Sequence, residues 1–315
     1  MLRSSCLLFA LVSVLGCGQD GTQMPPPGNP PPNNPPPPPQ NGIQLASPAF
    51  TLNPGDEVFK CWFTSIASDT DIAAVKFSSE MTPGSHHFIV FTTAQAQRPD
   101  GTFEDCQGVG GTGINDTPVW LYAAQDPHNE LNMPAGVAMP LKAHQPLIFN
   151  MHYLNTTQSP MTVQVWVNLD YATGGYQKAG AFVTFNTMIS IPPGGTQTVG
   201  GNCSVPAGIK FFTMSTHSHK RTTDAMAARY LNGQVGEVLV NTTDWEHATV
   251  SKWGDPYLTL APGEQIHYEC SYRNTTTQTI TVGESANTNE MCMAVGYYFP
   301  ATANSFCLNS YSFQR

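Results

Sequence analysis

The sequence predicts an all-β protein: antiparallel β-sandwich domains in tandem behind an export segment. Three observations carry that prediction. Runs rich in β-branched and aromatic residues recur along the chain, several alternating apolar with polar side chains as half-buried strands do. Pro, Gly and Asn punctuate these runs at short spacing, the turn chemistry of a sandwich. Charge is sparse, 11% of 315 residues with a formal net charge of −9. No Lys/Arg cluster is present, which disfavours nucleic acid as a partner.

The elements follow in chain order. Residues 1–17 read as an export signal, with Arg3 early, an apolar run from Cys6 to Leu15 and Gly16-Cys17 at the cut. The run is too short to stay in a bilayer as a helix. Its end, Val14-Leu15-Gly16-Cys17, resembles the bacterial lipobox, in which the cysteine is acylated. The alternative is an ordinary cleaved signal with an incidental cysteine. Residues 18–41 hold a proline tract, "MPPPGNPPPNNPPPPP", which cannot pack a core and favours extended polyproline II. Directly after a lipidation signal it reads as a stalk rather than a ligand for aromatic grooves. Folding is expected from Gly42.

Strands are expected in "EVFKCWFTSI", "AAVKFSSE", "HHFIVFTT", "PLIFNMHYLN", "MTVQVWVNLDY", "KFFTMSTHSH", "EQIHYECSYRN" and "MCMAVGYYF". "TTDAMAARYL" fits either a helical turn or a strand with an alanine-rich face. The Pro-Pro-Gly-Gly break in "ISIPPGGTQ" divides the folded region into 42–189 and 190–315, both of domain size.

Six cysteines remain outside the export segment: Cys61, Cys106, Cys203, Cys270, Cys292 and Cys307. An even number on an exported chain implies three disulfides, with fifteen pairings open. None has the close spacing of a structural zinc site. Of nine histidines, His217 and His219 stand at i and i+2, which puts both on one face of a strand. His86 and His87 are adjacent, and on a regular strand they would face opposite ways. They serve one ion only if a bulge or bend at the strand start re-aims one ring. His152 lies in "FNMHYLN". His128, His144, His247 and His267 read as ordinary hydrogen-bonded residues, with His247 the strongest exception as a supporting residue. Met291 would ordinarily be core packing, yet a thioether with imidazoles selects copper.

Taken together and in order, "FKCWF", "HHFIVF", "MHYLN", "IPPGG", "THSHK", "YECSYRN" and "NEMCMAVGYYFP" resemble the type II copper, ascorbate-dependent monooxygenases. The resemblance spans residues from about 55 to 307 and implies two jelly-roll-like antiparallel β-sandwich domains with an open cleft between two copper ions. It implies His86, His87 and His152 as ligands of an electron-transfer copper. His217, His219 and Met291 would hold a second copper that meets dioxygen and substrate. It pairs Cys61 with Cys106, Cys203 with Cys307 and Cys270 with Cys292, and leaves one first-domain disulfide of the family without a counterpart. The implied activity is hydroxylation of a C–H bond with dioxygen, ascorbate serving as reductant.

Peptide-hydroxylating members grip a substrate carboxylate with an arginine two residues before the His-x-His pair, and with an asparagine and a tyrosine just after the Met-Cys element. Ser215, Met293 and Val295 stand there instead, and none can bind a carboxylate in that way. A small or apolar substrate and a more apolar pocket are therefore expected. Lys220 and Arg221 would either meet an anion or be solvated charges at a strand end. The expected protein is an extracytoplasmic monomer, a bacterial lipoprotein or secreted, touching a membrane only through a lipid on Cys17. Two alternatives stand beside the enzyme. One is a non-catalytic copper-binding protein on the same fold; the other is an adhesion or carbohydrate-binding module with incidental histidines.

Overall fold

The computed structural model describes residues 35–106 and 118–314, all within one compact unit. The signal-like segment 1–17 with Cys6 and Cys17, the 18–41 stretch as far as Asn34, residues 107–117 and Arg315 lie outside the described residues. The end of the proline tract is tied to the fold: the Pro36 and Pro37 carbonyls accept from Gln44 and Asn168.

Among the described residues there are 26 strands and no helix, and the protein is an all-β sandwich. "TTDAMAARYL" is the strand Thr222–Leu231, buried through Ala225, Ala227 and Ala228. "MTVQVWVNLDY" forms two strands, Met161–Val163 and Val165–Tyr171, which join different sheets.

In the first half, a six-stranded sheet runs Gly42–Ala46, Val165–Tyr171, Ile72–Met81, Val137–Leu141 and Gln177–Lys178, with His128–Asn132 also on Ile72–Met81. A five-stranded sheet runs Phe103–Asp105, Glu57–Ser65, Pro146–Leu154, Ser85–Thr92 and Val119–Ala124. Apolar side chains such as Phe77, Phe88, Phe149, Val167 and Leu169 form one buried cluster with contributions from both sheets, so period-2 alternation in each strand becomes an inside and an outside.

In the second half, a six-stranded sheet runs Val250–Lys252, Lys210–Ser218, Cys292–Phe299, Gly180–Phe185, Ser305–Leu308 and Tyr311–Gln314. A four-stranded sheet runs Thr196–Cys203, Gln265–Arg273, Thr222–Leu231 and Gln234–Thr242. Gly180–Phe185 therefore pairs with second-half strands although it precedes the Pro-Pro-Gly-Gly break.

The strand Cys292–Phe299 is buried at every position. Cys292, Ala294 and Tyr298 pack into the second half's own core. Met293, Val295, Tyr297 and Phe299 pack with first-half residues, and Tyr297 donates to the Leu121 carbonyl at 3.1 Å. A strand covered on both faces reads as a continuous apolar run, which "CMAVGYYF" is. Disulfides join Cys61 to Cys106, Cys203 to Cys307 and Cys270 to Cys292.

Candidate metal centre

The first histidine group is built on a broken strand. Ser85–Thr92 runs antiparallel to Pro146–Leu154, pairing His87 with His152 and then Ser85 with Tyr153. His86 is the extra residue of a β-bulge, entered through Gly84 at φ 87°. A bulge re-aims a side chain that strict alternation would turn away. The His86 and His87 Nδ1 atoms consequently lie 2.9 Å apart. Each of these rings is 5.1 Å from the His152 ring. One ring nitrogen from each of the three falls within 4.8 Å of the others. The expected break in alternation is thus present at His86. From Phe88 onward the pairing with Pro146–Leu154 is regular.

Neighbouring groups fix the third ring. Phe59, opposite His152 in register, stacks on it at 4.1 Å and 8°. His152 Nε2 lies 3.0 Å from the Glu57 carboxylate. When Nε2–H donates there, Nδ1 carries the free lone pair. That Nδ1 is buried and has no hydrogen-bond partner, which is rare for a buried polar atom unless a ligand completes it. Converging neutral imidazoles with one orphaned nitrogen are a donor set that fits copper.

The second group sits at the end of a strand that is regular from Thr213 to Ser218, after an irregularity at Phe212, with His219 the residue just past it. Lys210–Ser218 pairs with Cys292–Phe299, Ser218 opposite Cys292. His217 and His219 are two residues apart, with ring centres 5.4 Å apart. His219 and Met291 are the residues that immediately follow and precede this last pair. The His219 Nδ1 lies 3.1 Å from the Asn289 carbonyl. The Glu290 carboxylate, fully buried, accepts the backbone N–H of His219 at 3.0 Å and of Arg221 at 2.7 Å. The Arg221 guanidinium is 3.8 Å away. Met291 is half-buried, with its carbonyl held by the Tyr272 hydroxyl at 2.9 Å and Cys292 held by its disulfide.

Burial, opposing protonation of an imidazole, is the main cause of every shift in the two groups. It pushes His152 and His217 down to about 4 and His219 to about 3, and holds His87 well below the usual range. His86 is lowered too, again first by burial. All five are therefore neutral at pH 7, the form that binds metal. Burial pushes Glu290 up to about 7 against the pull of its N–H donors and Arg221.

The two groups form one continuous cluster. The His87 and His217 rings are 6.0 Å apart, and Trp120 stands 6.5 Å from His217. The rings of His87 and His217 are thus closer together than the open cleft that the resemblance implies. The second half also reaches back over the first, with Trp245 5.6 Å from His86 and held at its carbonyl by Gln125.

A cavity of about 400 Å³ adjoins both groups and is lined by His87, His217, Ile89, Trp120, Val295 and Tyr297 among others. Ser215 reaches it too, but its hydroxyl donates to the Thr249 carbonyl at 2.8 Å. Val295 lines the wall, whereas Met293 is packed in the apolar cluster. Asp126, Glu130 and Lys252 also line the cavity, so its wall is not uniformly apolar.

The other expected residues have duties elsewhere. His128, His144 and His267 bond to Glu80, Asp69 and Asn202. His247 bonds to Asp244 and lines the cavity. Arg221 is not solvated at a strand end, and the anion it faces is the protein's own Glu290 carboxylate. It is buried, donating to the Ala286 and Asn287 carbonyls, and Lys220 donates to the Asn287 side chain at 2.5 Å. Glu57, Glu290, Asn287, Trp120 and Trp245 were not singled out by sequence. Only Glu290 carried a signal, as a carboxylate directly before the apolar run that starts at Met291.

Comparison with known proteins bears on this arrangement. Residues 178–314 match the family "Copper type II ascorbate-dependent monooxygenase, C-terminal domain". A 109-residue segment is 27% identical to a tyramine beta-hydroxylase of Caenorhabditis briggsae, covering 33% of this chain and 18% of that protein. A 139-residue segment is 25% identical to a DBH-like monooxygenase protein 1 of Gallus gallus, covering 40% and 22%. The chain thus spans only a minor part of these relatives. Among solved structures, the major capsid protein P2 of bacteriophage PM2 overlays with a TM-score of 0.29 at 7% identity, covering 77% of this chain and 97% of that one. That likeness is too slight to bear on function. By its C-terminal match and these relatives, the chain is similar to the copper type II ascorbate-dependent monooxygenases, the match to the family model lying in residues 178–314.

Proposed function

We propose that the protein is a copper-dependent monooxygenase that hydroxylates a C–H bond of a small substrate held in the cavity beside His217. The observation that carries this reading is the His86–His87–His152 convergence around the partnerless buried Nδ1 of His152. His86, His87 and His152 hold one copper ion; His217, His219 and Met291 hold a second. The bound copper ions supply one-electron redox chemistry and oxygen activation, with ascorbate or another one-electron reductant. The chain's own part is positional. The bulge at His86 converges two rings, Glu57 orients the third, and Glu290 anchors the turn that carries His219. Trp120, Val295 and Tyr297 give the substrate space an apolar side, with Asp126, Glu130 and Lys252 elsewhere on its wall.

The substrate is not a peptide with a terminal carboxylate. Ser215 is engaged with the Thr249 carbonyl, and Met293 is packed away from the cavity. The strand pairings support a division between an electron-transfer half and an oxygen-binding half at about residue 179. Three disulfides support an oxidising, extracytoplasmic compartment, with Cys17 as the proposed lipid anchor and a monomer as the working unit.

The test is copper stoichiometry and oxygen uptake. The copper-loaded full chain with ascorbate should bind two equivalents and consume oxygen in proportion to a hydroxylated product from a small-molecule panel. His86→Ala and Met291→Ala should each remove one equivalent and the coupled uptake. Two bound equivalents with no substrate-dependent uptake would favour a non-catalytic copper protein.

A further inference from the structure

We propose that Glu57 is a positioning residue shared by both ligand groups, clasping His152 of the first half to Asn287 of the second. The inference rests on reading His86, His87 and His152 as a metal set. Glu57 pairs with Leu154 in the strand register, two residues from His152. One carboxylate oxygen is 3.0 Å from His152 Nε2. The other accepts the side-chain amide of Asn287, a residue 230 positions away. Asn287 in turn accepts Lys220 through its side chain and Arg221 through its carbonyl, each at 2.5 Å. Arg221 and His219 donate their backbone N–H groups to Glu290, which precedes Met291. A short hydrogen-bonded route thus runs from the third ligand of one group to the backbone that carries the other.

The chemistry favours a carboxylate at this position. Two oxygens can serve His152 and Asn287 at once, whereas an amide has one acceptor oxygen. A carboxylate behind an imidazole fixes its tautomer and ring plane and raises the basicity of the nitrogen that faces the metal. The same residue thereby makes the geometry of the first group depend on how the loop before Met291 is seated. A half-exposed pair with no such role would contribute little.

The experiment uses the full chain, copper titration against a competing chelator, Cu(II) electron paramagnetic resonance, and hydrogen exchange across residues 283–289. Glu57→Ala should weaken one copper equivalent by about 10–100-fold and change its hyperfine signal, leaving the other equivalent unchanged. Glu57→Gln, which keeps one acceptor for the ring, should recover most of that affinity and the signal. Asn287→Ala should leave both affinities within about threefold of wild type, yet abolish copper-dependent protection of 283–289. Unchanged affinity and signal in Glu57→Ala would overturn the positioning role. Retained protection in Asn287→Ala would overturn the clasp. His86→Ala still binding two equivalents would instead refute the metal set on which both depend.

Discussion

The two histidine groups offer the same ring chemistry through opposite backbone solutions. His217 and His219 use the regular end of a strand and the residue just beyond it, where every second side chain shares a face. His86 and His87 are neighbours, so the strand has to be broken between His87 and Ser85 before both rings meet His152. The supports differ accordingly. The regular group is anchored by backbone N–H bonds to a buried carboxylate, Glu290. The broken group is anchored by side chains, Phe59 stacked on His152 and Glu57 bonded to it. Convergence of adjacent rings is thus obtained at the cost of backbone regularity, and the missing order is replaced by packing on the rings.

Three measurements would sharpen or break this contrast. The largest effect should be common to both groups, because burial lowers all their histidines. In the metal-free chain these imidazoles stay neutral when folded but protonate near pH 6.5 when unfolded, so the unfolded state binds more protons. Stability should therefore fall as pH drops from about 6.5 to about 4, on the order of 5 kcal/mol in denaturant melts. Glu290, raised to about 7, works the other way above its ordinary value, one group against several. Copper loading should flatten the profile near neutral pH. A metal-free chain equally stable at both ends of the window would mean that the rings are not buried as described.

The next effect should strike the regular group alone. Glu290→Ala leaves two buried N–H groups without their acceptor and the buried Arg221 guanidinium without its counter-charge. Loss of about 3–5 kcal/mol is expected by urea unfolding, together with weakened copper at His217–His219 and unchanged copper at His86–His87–His152. Equal weakening of both equivalents would erase the distinction. The smallest effect should strike the broken group. Gly84 enters the bulge at φ +87°, and a Cβ there would sit 2.6 Å from Met161 Sδ. Gly84→Ala should cost about 1–3 kcal/mol and broaden the Cu(II) signal of the first group only. An unaltered signal would show that the bulge tolerates other backbone angles.

Much of this was legible in the sequence, for physical reasons that also set the limit. Strands such as Glu57–Ser65 and Pro146–Leu154 show in composition because each buries one face or both. The His-x-His pair is readable because its spacing equals the strand period. Adjacency of His86 and His87, with His152 as third partner, even requires the bulge. Glu57, Asn287 and Trp245 were not readable, because their roles depend on residues far off in the chain, 230 positions in the case of Glu57 and Asn287. The closeness of His87 to His217 was hidden for the same reason. Thr222–Leu231 stayed ambiguous because alanine suits a helix and also a tightly packed strand.

The doubly covered strand Cys292–Phe299 has a consequence for dissecting the molecule. Its even-numbered side chains belong to one core and its odd-numbered ones to the other. Cutting the chain near residue 179 would bare Val295, Tyr297, Phe299 and Phe212 together, a contiguous greasy surface that isolated fragments hide by clumping. The two halves should accordingly melt in a single cooperative transition, and neither is expected to be a well-behaved stand-alone reagent.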